Sequence, residues 1–324
     1  MPDSDNAAPE FVYRDATAED RDHVLAFTAN TWEWGDYIQD IYDDWLADTT
    51  GRFLVAVEVA TGRIAALDKL SFIRPNEAWF EGLRVNPDSR GRGLASRTQR
   101  HMIEEARRLG ARTIRFLTRA ENRPVHIMAY RDGFKLLMVT RFWRWRRDTT
   151  PTPANVVAAE HPDLRPATPV EAEGLYNWWQ RSAASASFGL THREWRFEST
   201  TPADWEAAAR LGTLFVAADY SESRTQLPPQ TALVNSLDSY HPEEIRWSVG
   251  ALGGQPGDMA ALTRSLVGLG ASQGVSEMLG FFPDSVEVYR ALEAAGLVPD
   301  ANDERYCLFE LVLDLPGDSP APWR

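Results

Sequence analysis

The segment Glu81–Ser96, with the sequence EGLRVNPDSRGRGLAS, holds the residues whose types and spacing best suit chemistry on a phosphate-bearing molecule. The pattern predicts a strand that ends at Val85, a glycine-rich turn and a helix that starts near Leu94. The first turn of a helix exposes backbone N–H groups, and the helix dipole favours an anion beside them. The segment therefore predicts a site for a phosphate or pyrophosphate group.

Two glycines and two arginines define the chemistry of this turn. Gly91 and Gly93 allow the backbone to approach a phosphate without an intervening Cβ, and Arg90 and Arg92 can add charge-assisted hydrogen bonds. The turn lacks the GK[ST] sequence of a P-loop and the GxGxxG spacing of a dinucleotide site. A Gly-x-Gly turn is equally consistent with an ordinary surface turn, so the pattern alone leaves both interpretations open.

The hexapeptide Arg90-Gly-Arg-Gly-Leu-Ala resembles the coenzyme A signature R/Q-x-x-G-x-G/A of the GNAT acetyltransferases. Arg90, Gly93 and Ala95 occupy the defining positions. The resemblance continues through the strand before the turn and the helix after it, and covers about residues 11–147, whereas the second half matches in pattern only. It implies an α+β fold with two tandem GNAT-like domains, each a mixed, mostly antiparallel sheet flanked by helices.

The resemblance also implies acetyl-CoA as co-substrate, without a metal, and assigns roles to individual positions. Backbone groups of Leu83 and Val85 are implied to contact the pantetheine and the acetyl carbonyl, and Asn122 the pantetheine arm. The turn and the start of the helix are implied to bind the pyrophosphate. The residues predicted to bind the cofactor are Leu83, Arg84, Val85, Arg90, Gly91, Arg92, Gly93, Leu94, Ala95, Ser96 and Asn122.

Glu81 occupies the position where many GNAT members carry the base that removes a proton from the amine. Independent chemistry supports the same role, because acetyl transfer requires a neutral amine and a carboxylate near the thioester can supply it. A glutamate within an otherwise apolar strand is also unusual. A structural acid paired with a neighbouring cation is the alternative interpretation of Glu81.

The group that protonates the departing thiolate is less clearly marked. Family members often carry a tyrosine seven residues after Asn122, but this position is Ala129. Tyr130 comes one residue later, which turns it by about 100° around a helix, and His126 is the other nearby candidate. Tyr130 can also be a structural residue, and the thiolate can leave unassisted because its pKa is low.

An aromatic and acidic segment, WEWGDY, follows the first predicted helix, where the GNAT fold places acceptor contacts. Aromatic faces beside carboxylates suit a cationic or aromatic amine, although a packed aromatic lid is an equal alternative. The segment at 37–46, together with Glu81-Gly-Leu-Arg-Val, is similar to the animal histidine N-acetyltransferases. This similarity implies a small amino-acid-like amine. The predicted acceptor residues are Trp32, Trp34, Asp36 and Tyr37.

The chain is predicted to contain a disordered leader at 1–10, a catalytic GNAT domain at 11–148, a linker at 149–163 and a degenerate GNAT-like domain at 164–324. The linker is rich in Pro, Thr and Ala without amphipathic period, and the order of elements repeats after it. The equivalent turn of the second half, Gly250–Asp258, has glycines but no arginine. The second domain is therefore predicted not to bind coenzyme A.

Composition limits the partners. The 324 residues carry a formal net charge of −13, which disfavours nucleic acid and anionic membranes. The segment Arg84–Arg147, however, contains 17 of the 34 basic residues and only five acidic ones. This local excess of positive charge indicates either a polyanionic ligand or solvated helix faces. Cys307 is the single cysteine, so neither a disulfide within the chain nor a cysteine-based metal site is predicted. Without a signal peptide or an apolar span, the sequence predicts a soluble cytoplasmic protein.

These features predict an N-acetyltransferase that acts on a primary amine of a small molecule by direct attack, and they are compatible with a homodimer. One alternative is a non-catalytic coenzyme A sensor or scaffold, which would not need a base at Glu81. The other alternative is a protein N-acetyltransferase, which the acidic net charge disfavours for basic substrate tails.

Overall fold

The computed structural model describes residues 10–33, 35–148, 164–181, 188–221, 231–237, 244–254, 259–299 and 304–313. The predicted linker, nearly all of the predicted leader, and Trp34 lie outside these ranges. The helices of the described part are α1 Arg21–Thr28, α2 Ile38–Ala47, α3 Leu94–Arg108, α4 Arg123–Arg131, α5 Ala172–Arg181, α6 Pro202–Leu211, α7 Met259–Ser272 and α8 Val286–Ala294. Its strands are β1 Phe11–Asp15, β2 Arg52–Glu58, β3 Ile64–Arg74, β4 Glu77–Val85, β5 Thr113–Arg119, β6 Lys135–Arg146, β7 Leu164–Pro166, β8 Leu190–Arg193, β9 Arg196–Ser199, β10 Leu214–Ala217, β11 Thr231–Leu237, β12 Ile245–Gly253, β13 Val275–Pro283, β14 Val298–Pro299 and β15 Arg305–Val312.

The chain divides into two compact units. Unit 1 comprises Met1–Phe116, Pro124–Lys135 and Glu310–Arg324, and unit 2 comprises Leu117–Arg123 and Leu136–Phe309. Strand β6 falls almost entirely in unit 2 because it pairs with β13 over seven residue pairs. The units therefore divide the chain at other points than the linker predicted from composition, and the predicted domain boundaries stay a prediction.

Unit 1 contains a sheet of order β1-β2-β3-β4-β5. The pairs β1–β2, β2–β3 and β3–β4 are antiparallel, and β4–β5 is parallel. A turn at Gly62 joins β2 and β3: its φ is +69° and its N–H donates to the carbonyl of Glu58 at 2.8 Å. This mixed, mostly antiparallel sheet with flanking helices is the predicted fold class.

Helices α1 and α2 enclose an aromatic core on one face of this sheet. The chain enters α1 through a cap in which Thr17 N–H and Oγ1 both donate to Asp20 Oδ2, at 2.9 and 3.2 Å. Aromatic rings fill the space below the helices, with Trp45 packed edge-on against Phe53 at 5.1 Å between ring centroids. The fully or almost fully buried residues of this core are Val24, Ile38, Tyr42, Trp45, Phe53, Val55, Ile64 and Leu67.

Helix α3 starts directly after the glycine-rich turn, as predicted. Gly93 takes the N-cap position with a φ of +68°, which a glycine adopts without steric cost. The opposite end is followed by Gly110, again with a positive φ of +90°, as is common after helices. Leu94 anchors the helix in an apolar cluster with Ala66 and Phe11, which fixes the turn above the start of β3.

Unit 2 contains a sheet of order β6-β13-β12-β11-β10-β7, with β14 paired to β6. The pair β12–β13 is parallel, and α7 connects its strands, as α3 does for β4 and β5. One face of the sheet packs on α7 and α8 around Trp143, Trp145 and Trp247. A second core of Trp179 and Trp205 holds α5 and α6.

Unit 2 also contains a short hairpin and a further helix, which differ in how visible they are in the sequence. The hairpin β8–β9 is short, with only four residues in each strand, so it has too few alternating positions for a strand signal. Helix α6 begins at a capping box in which Thr201 and Asp204 bond each other's backbone N–H groups. That signature is legible in the sequence as Thr-Pro-Ala-Asp and could have located the helix.

Strand β4 contains one more residue than β3 across a short stretch. Lys69 lies opposite Glu81 and Leu67 opposite Arg84, so two steps along β3 correspond to three along β4. This is a β-bulge, and Gly82 lies within it with a φ of +78°. A Cβ on Gly82 would lie only 2.2 Å from Cη2 of the Trp45 ring, so the bulge and the buried ring exclude any side chain there.

We expect Gly82→Ala to lower the free energy of unfolding by at least about 1 kcal/mol more than Gly62→Ala. Both positions have a similar positive φ, so both substitutions carry the same backbone penalty of roughly 1–2 kcal/mol. Only Gly82 adds overpacking against Trp45, whereas nothing lies within 4 Å of a Cβ at Gly62. Urea unfolding of both variants provides the comparison, and equal losses would contradict the close packing of Trp45 on the bulge.

Candidate active site

The predicted phosphate turn is exposed and ends in a helix start that lacks a side-chain cap among the described residues. Arg97 N–H donates to the carbonyl of Gly93 at 3.2 Å, and the first turn of α3 has no acidic residue. The turn is tied to the sheet through Asn86, whose N–H donates to the carbonyl of Ala65 at 2.8 Å. The amide groups and positive dipole end of a 15-residue helix are thus presented at a fixed place.

The two arginines of the turn are in different environments. Arg92 Nη1 bonds Glu58 Oε1 at 2.8 Å, and Glu58 is itself buried and accepts a further hydrogen bond from Thr61. The guanidinium of Arg92 therefore neutralises Glu58 as well as contributing to the charge of the turn. Arg90 is exposed.

The parallel ladder between β4 and β5 is short. It joins Glu77, Ala78 and Trp79 to residues 113–115, and ends there although β4 continues to Val85. Leu83 and Val85, whose backbone groups are predicted to contact the pantetheine, lie beyond the end of this ladder. The bulge at Gly82 separates them from the regular part of the strand.

Glu81 lies on the face of the sheet that α1 and α2 cover, in a polar network. Lys69, its cross-strand neighbour, is fully buried and its Nζ bonds Asp48 Oδ2 at 2.5 Å and the carbonyl of Leu70 at 3.0 Å. Ser71 Oγ lies 3.3 Å from Asp48 Oδ2 and 3.5 Å from Glu81 Oε1. Glu81 is half-buried, so its carboxylate is held among polar partners at the edge of the core.

Arg84 organises the segment that was predicted to contact the acceptor. Its Nε and Nη2 bond the two carboxylate oxygens of the buried Asp36, at 2.7 and 3.3 Å. The guanidinium carbon lies 4.5 Å from the Trp32 ring centroid and 5.4 Å from that of Tyr37. Three of the four predicted acceptor residues thus meet around one arginine, while Trp34 lies outside the described residues. The Arg84 side chain is held by Asp36, and its contact with the cofactor stays a prediction.

The charges of this cluster favour a cation. Burial raises the pKa of Tyr37 to about 12, so its hydroxyl stays protonated and can donate a hydrogen bond. The cluster contains two cations: Lys69 pairs with Asp48, and Arg84 pairs with Asp36. Two further carboxyl groups, those of Glu81 and Asp68, also belong to it. Four carboxyl groups against two cations leave an excess of negative charge even when one of the four is protonated.

Asp68 lies on β3 between Leu67 and Lys69, opposite the bulge of β4. Sequence reasoning missed this residue. It is only 2% exposed, and burial raises the pKa of its carboxyl well above the usual range. In the described part of the chain its one hydrogen bond is from Lys69 N–H at 3.0 Å, and the charges of Arg84 and Glu81 act on it. The Asp68-Lys69 pair inside the otherwise apolar run Ile64–Leu70 was the signal that could have found it.

Helix α4 carries the two candidates for the acid. His126 is half-buried, and Tyr130 is 54% exposed. Ala129, at the position of the family tyrosine, is fully buried. Asn122 belongs to unit 2, is exposed, and donates from Nδ2 to Thr118 Oγ1 at 3.2 Å. The role of each in catalysis stays a prediction.

The predicted counterpart of the turn in unit 2 is described only in part, because 255–258 lie outside the described residues. Strand β12 ends at Gly253 and helix α7 begins at Met259. In the described ranges, no cluster of three His, Cys, Asp or Glu side chains could hold a metal ion. The helices found there are also too short or too polar to cross a membrane.

Comparison with known proteins identifies the first part of the chain. Residues 18–134 match the model of the acetyltransferase (GNAT) family. This match spans the WEWGDY segment, the bulged strand, the glycine-rich turn and α3, so it is this part of the chain that is similar to the GNAT family.

Two histidine N-acetyltransferases are also similar to the chain. The proteins from Oreochromis niloticus and Scomber australasicus are 36% and 35% identical to it over 81 residues. The aligned part is 25% of this chain and 23% of each relative, so the chain spans about a quarter of the length of these relatives.

The likeness in fold extends along almost the whole chain. A GCN5-related N-acetyltransferase from Sphaerobacter thermophilus superimposes with a TM-score of 0.61 and 16% identity, over 94% of this chain and 97% of that one. A GCN5-related glucosamine N-acetyltransferase region in a fungal multi-domain GH3 β-N-acetylglucosaminidase gives 0.61 and 16%, over 94% of this chain and 38% of that one. Both units thus have counterparts in GNAT folds.

We expect Asp68→Asn to stabilise the protein increasingly as the pH rises above the ordinary aspartate pKa of about 4. The raised pKa keeps Asp68 protonated in the folded state, while the unfolded chain releases the proton near its ordinary pKa, so ionisation favours unfolding. Asn is neutral at every pH, and the gain over the wild type should grow by up to about 1.4 kcal/mol per pH unit. Urea unfolding across this pH range gives the curve, with the exposed Asp40→Asn as the control. A gain that does not change with pH would contradict a protonated Asp68.

Proposed function

We propose that this protein transfers the acetyl group of acetyl-CoA to the primary amine of a small, amino-acid-like molecule. The observation that carries this proposal is the fixed, uncapped N-terminus of α3 behind the Arg90–Gly93 turn, within the part that matches the GNAT family. A pyrophosphate on this turn would accept hydrogen bonds from the N–H groups of Leu94, Ala95 and Ser96. Arg90 would add a charge-assisted bond.

The thioester supplies an activated carbonyl carbon, and the side chains around it prepare the acceptor. The amine nitrogen attacks that carbon, the C–N bond forms and the C–S bond breaks, with the sulfur leaving as thiolate. Glu81 takes the proton that the ammonium group must lose before the nitrogen can attack, and the second proton, lost as the amide forms, passes to solvent or to the thiolate. Its half-buried place beside Lys69 and Ser71 keeps the carboxylate oriented on the acceptor face of β4.

The acceptor is proposed to be cationic before it reacts. The carboxyl groups outnumber the cations in this cluster, so it attracts an ammonium group. The carboxyl groups are those of Asp36, Asp48, Asp68 and Glu81. The rings of Trp32 and Tyr37 form a wall against which a small side chain can pack. The similarity to fish histidine N-acetyltransferases supports an amino acid or a close relative as the acceptor.

The proposal predicts that Glu81→Gln lowers kcat by roughly 10²–10³-fold, the usual scale for loss of a general base. Gln keeps the shape of the side chain and removes its basicity. The loss should shrink at high pH, because more of the amine is then already neutral. Thiol release from acetyl-CoA, measured against a panel of amino acids and polyamines, identifies the acceptor and gives kcat for the variant.

Tyr130→Phe is the matched control for this experiment. Tyr130 is largely exposed on α4, so we expect less than about a tenfold effect, below that of a general acid. An unchanged kcat in Glu81→Gln would remove Glu81 from the mechanism. The absence of thiol release with every amine, despite tight acetyl-CoA binding, would favour the coenzyme A sensor instead.

A further inference from the structure

Three neighbouring strands of unit 2 place arginines around one buried glutamate. In the register of the sheet, Arg146 on β6 lies opposite Glu277 on β13, and Arg246 on β12 lies beside Glu277 on the other side. Arg144 is two residues before Arg146 on β6, so it lies on the same face, opposite Leu279. The other face of these strands packs in the tryptophan core with α7 and α8, so the arginines and Glu277 lie on the face away from those helices.

Glu277 is the anion at the centre of this group. Arg146 Nε bonds its Oε1 and Arg246 Nε bonds its Oε2, each at 2.8 Å, while Arg144 Nη1 lies 3.8 Å from Oε1. Burial raises the pKa of the Glu277 carboxyl, but Arg146 and Arg246 more than offset this, so the pKa is lowered and the group is ionised at neutral pH. One carboxylate therefore faces three guanidinium groups, which stay charged at any physiological pH.

The hairpin β8–β9 covers this face. Its turn residue Glu194 has a φ of +51°, an uncommon and strained conformation for a residue other than glycine. The strained turn presents Trp195, which stacks on Phe142 of β6 with 5.4 Å between ring centroids and 22° between planes. Arg144 lies over the same Phe142 ring, 5.1 Å from its centroid. The arginine group therefore lies in a cleft with an aromatic wall, instead of on an open sheet surface.

The cleft is a cavity of about 180 Å³. Three of its lining side chains are arginines and two are glutamates, of which Glu194 is 46% exposed and lies 3.9 Å from Arg246 Nη1. That distance allows attraction but no hydrogen bond, and water screens an exposed carboxylate. The only hydrogen bond of Arg246 among the described residues is made by Nε. The lining therefore holds one arginine more than it holds glutamates.

We propose that this cleft binds a small oxyanion, a phosphate or carboxylate group on a small molecule. The guanidinium fork matches the geometry of both groups, and Phe142 and Trp195 exclude water from one side of the cleft. The volume is smaller than the roughly 300–1,000 Å³ of pockets for drug-sized ligands, so the cleft holds the anionic group and little more. The proposal concerns unit 2 and does not rest on acetyl transfer.

The test titrates the full chain with inorganic phosphate, followed by the ³¹P line, and with acetate, followed by its methyl ¹H line, at an ionic strength held constant with sodium chloride. Arg246→Gln should weaken binding by about tenfold or more, the scale of a charged hydrogen bond. Glu194→Gln should tighten binding about two- to fivefold, because it removes a partly screened competing charge. Glu194→Gln leaves the hydrogen bonds of Glu277 intact, so it tests the proposal even if Arg246→Gln unfolds unit 2.

Two control variants distinguish anion binding in the cleft from binding at arginines elsewhere in the chain. Arg210→Gln removes an exposed arginine from α6 and should leave the affinity unchanged, and Arg92→Gln alters the phosphate turn of unit 1 and should leave the cleft intact. Binding of phosphate alone would assign a phosphate-bearing ligand, and equal binding of acetate a carboxylate-bearing one. An affinity that is the same in the wild type, Arg246→Gln and Glu194→Gln, or that falls only in Arg92→Gln, would overturn the proposal.

Discussion

Residues three apart on a regular strand point to opposite faces of the sheet, yet Glu81 and Arg84 both face α1 and α2. The extra residue of β4 makes this arrangement possible, because the bulge at Gly82 shifts the register by one position. Arg84 can then hold Asp36 and the aromatic rings of the α1–α2 segment, while Glu81 stays beside Lys69 and Ser71. Trp45 fills the space that a side chain at Gly82 would need. The proposed acceptor face, the backbone beyond the bulge and the packing of α2 all depend on this single inserted residue.

The two sides of β4 differ in electrostatic character: one favours anions and the other favours cations. The start of α3 has exposed amides and no acid in its first turn, which suits phosphates. The opposite face of the strand has more carboxyl groups than cations, which suits an ammonium group. A co-substrate with a polyanionic tail and a cationic acceptor would thus be attracted to different sides of the same strand, and their reactive ends would meet beside Glu81.

Much of this arrangement could be predicted from local sequence. The turn, α3 and the hairpin at Gly62 follow from glycine positions and periodicity, which are local properties. The Asp36–Arg84 pair joins residues 48 positions apart, and no local pattern identifies it. The arginine excess of 84–147 is likewise dispersed by the fold, since Arg92, Arg115 and Arg146 pair with acids from other parts of the chain. The basic stretch is therefore not one basic surface, and neither alternative drawn from its charge describes all of it.

We propose that acetyl-CoA binds through the turn before α3, and calorimetric titration of the full chain with acetyl-CoA measures this binding. We expect one site per chain, and no binding to Gly93→Trp, whose indole would occupy the phosphate position. Gly62→Trp is the matched control, because it has nearly the same positive φ and open surroundings in the same unit, and it should bind normally. Two sites per chain, or undiminished binding to a folded Gly93→Trp variant, would contradict binding at this turn.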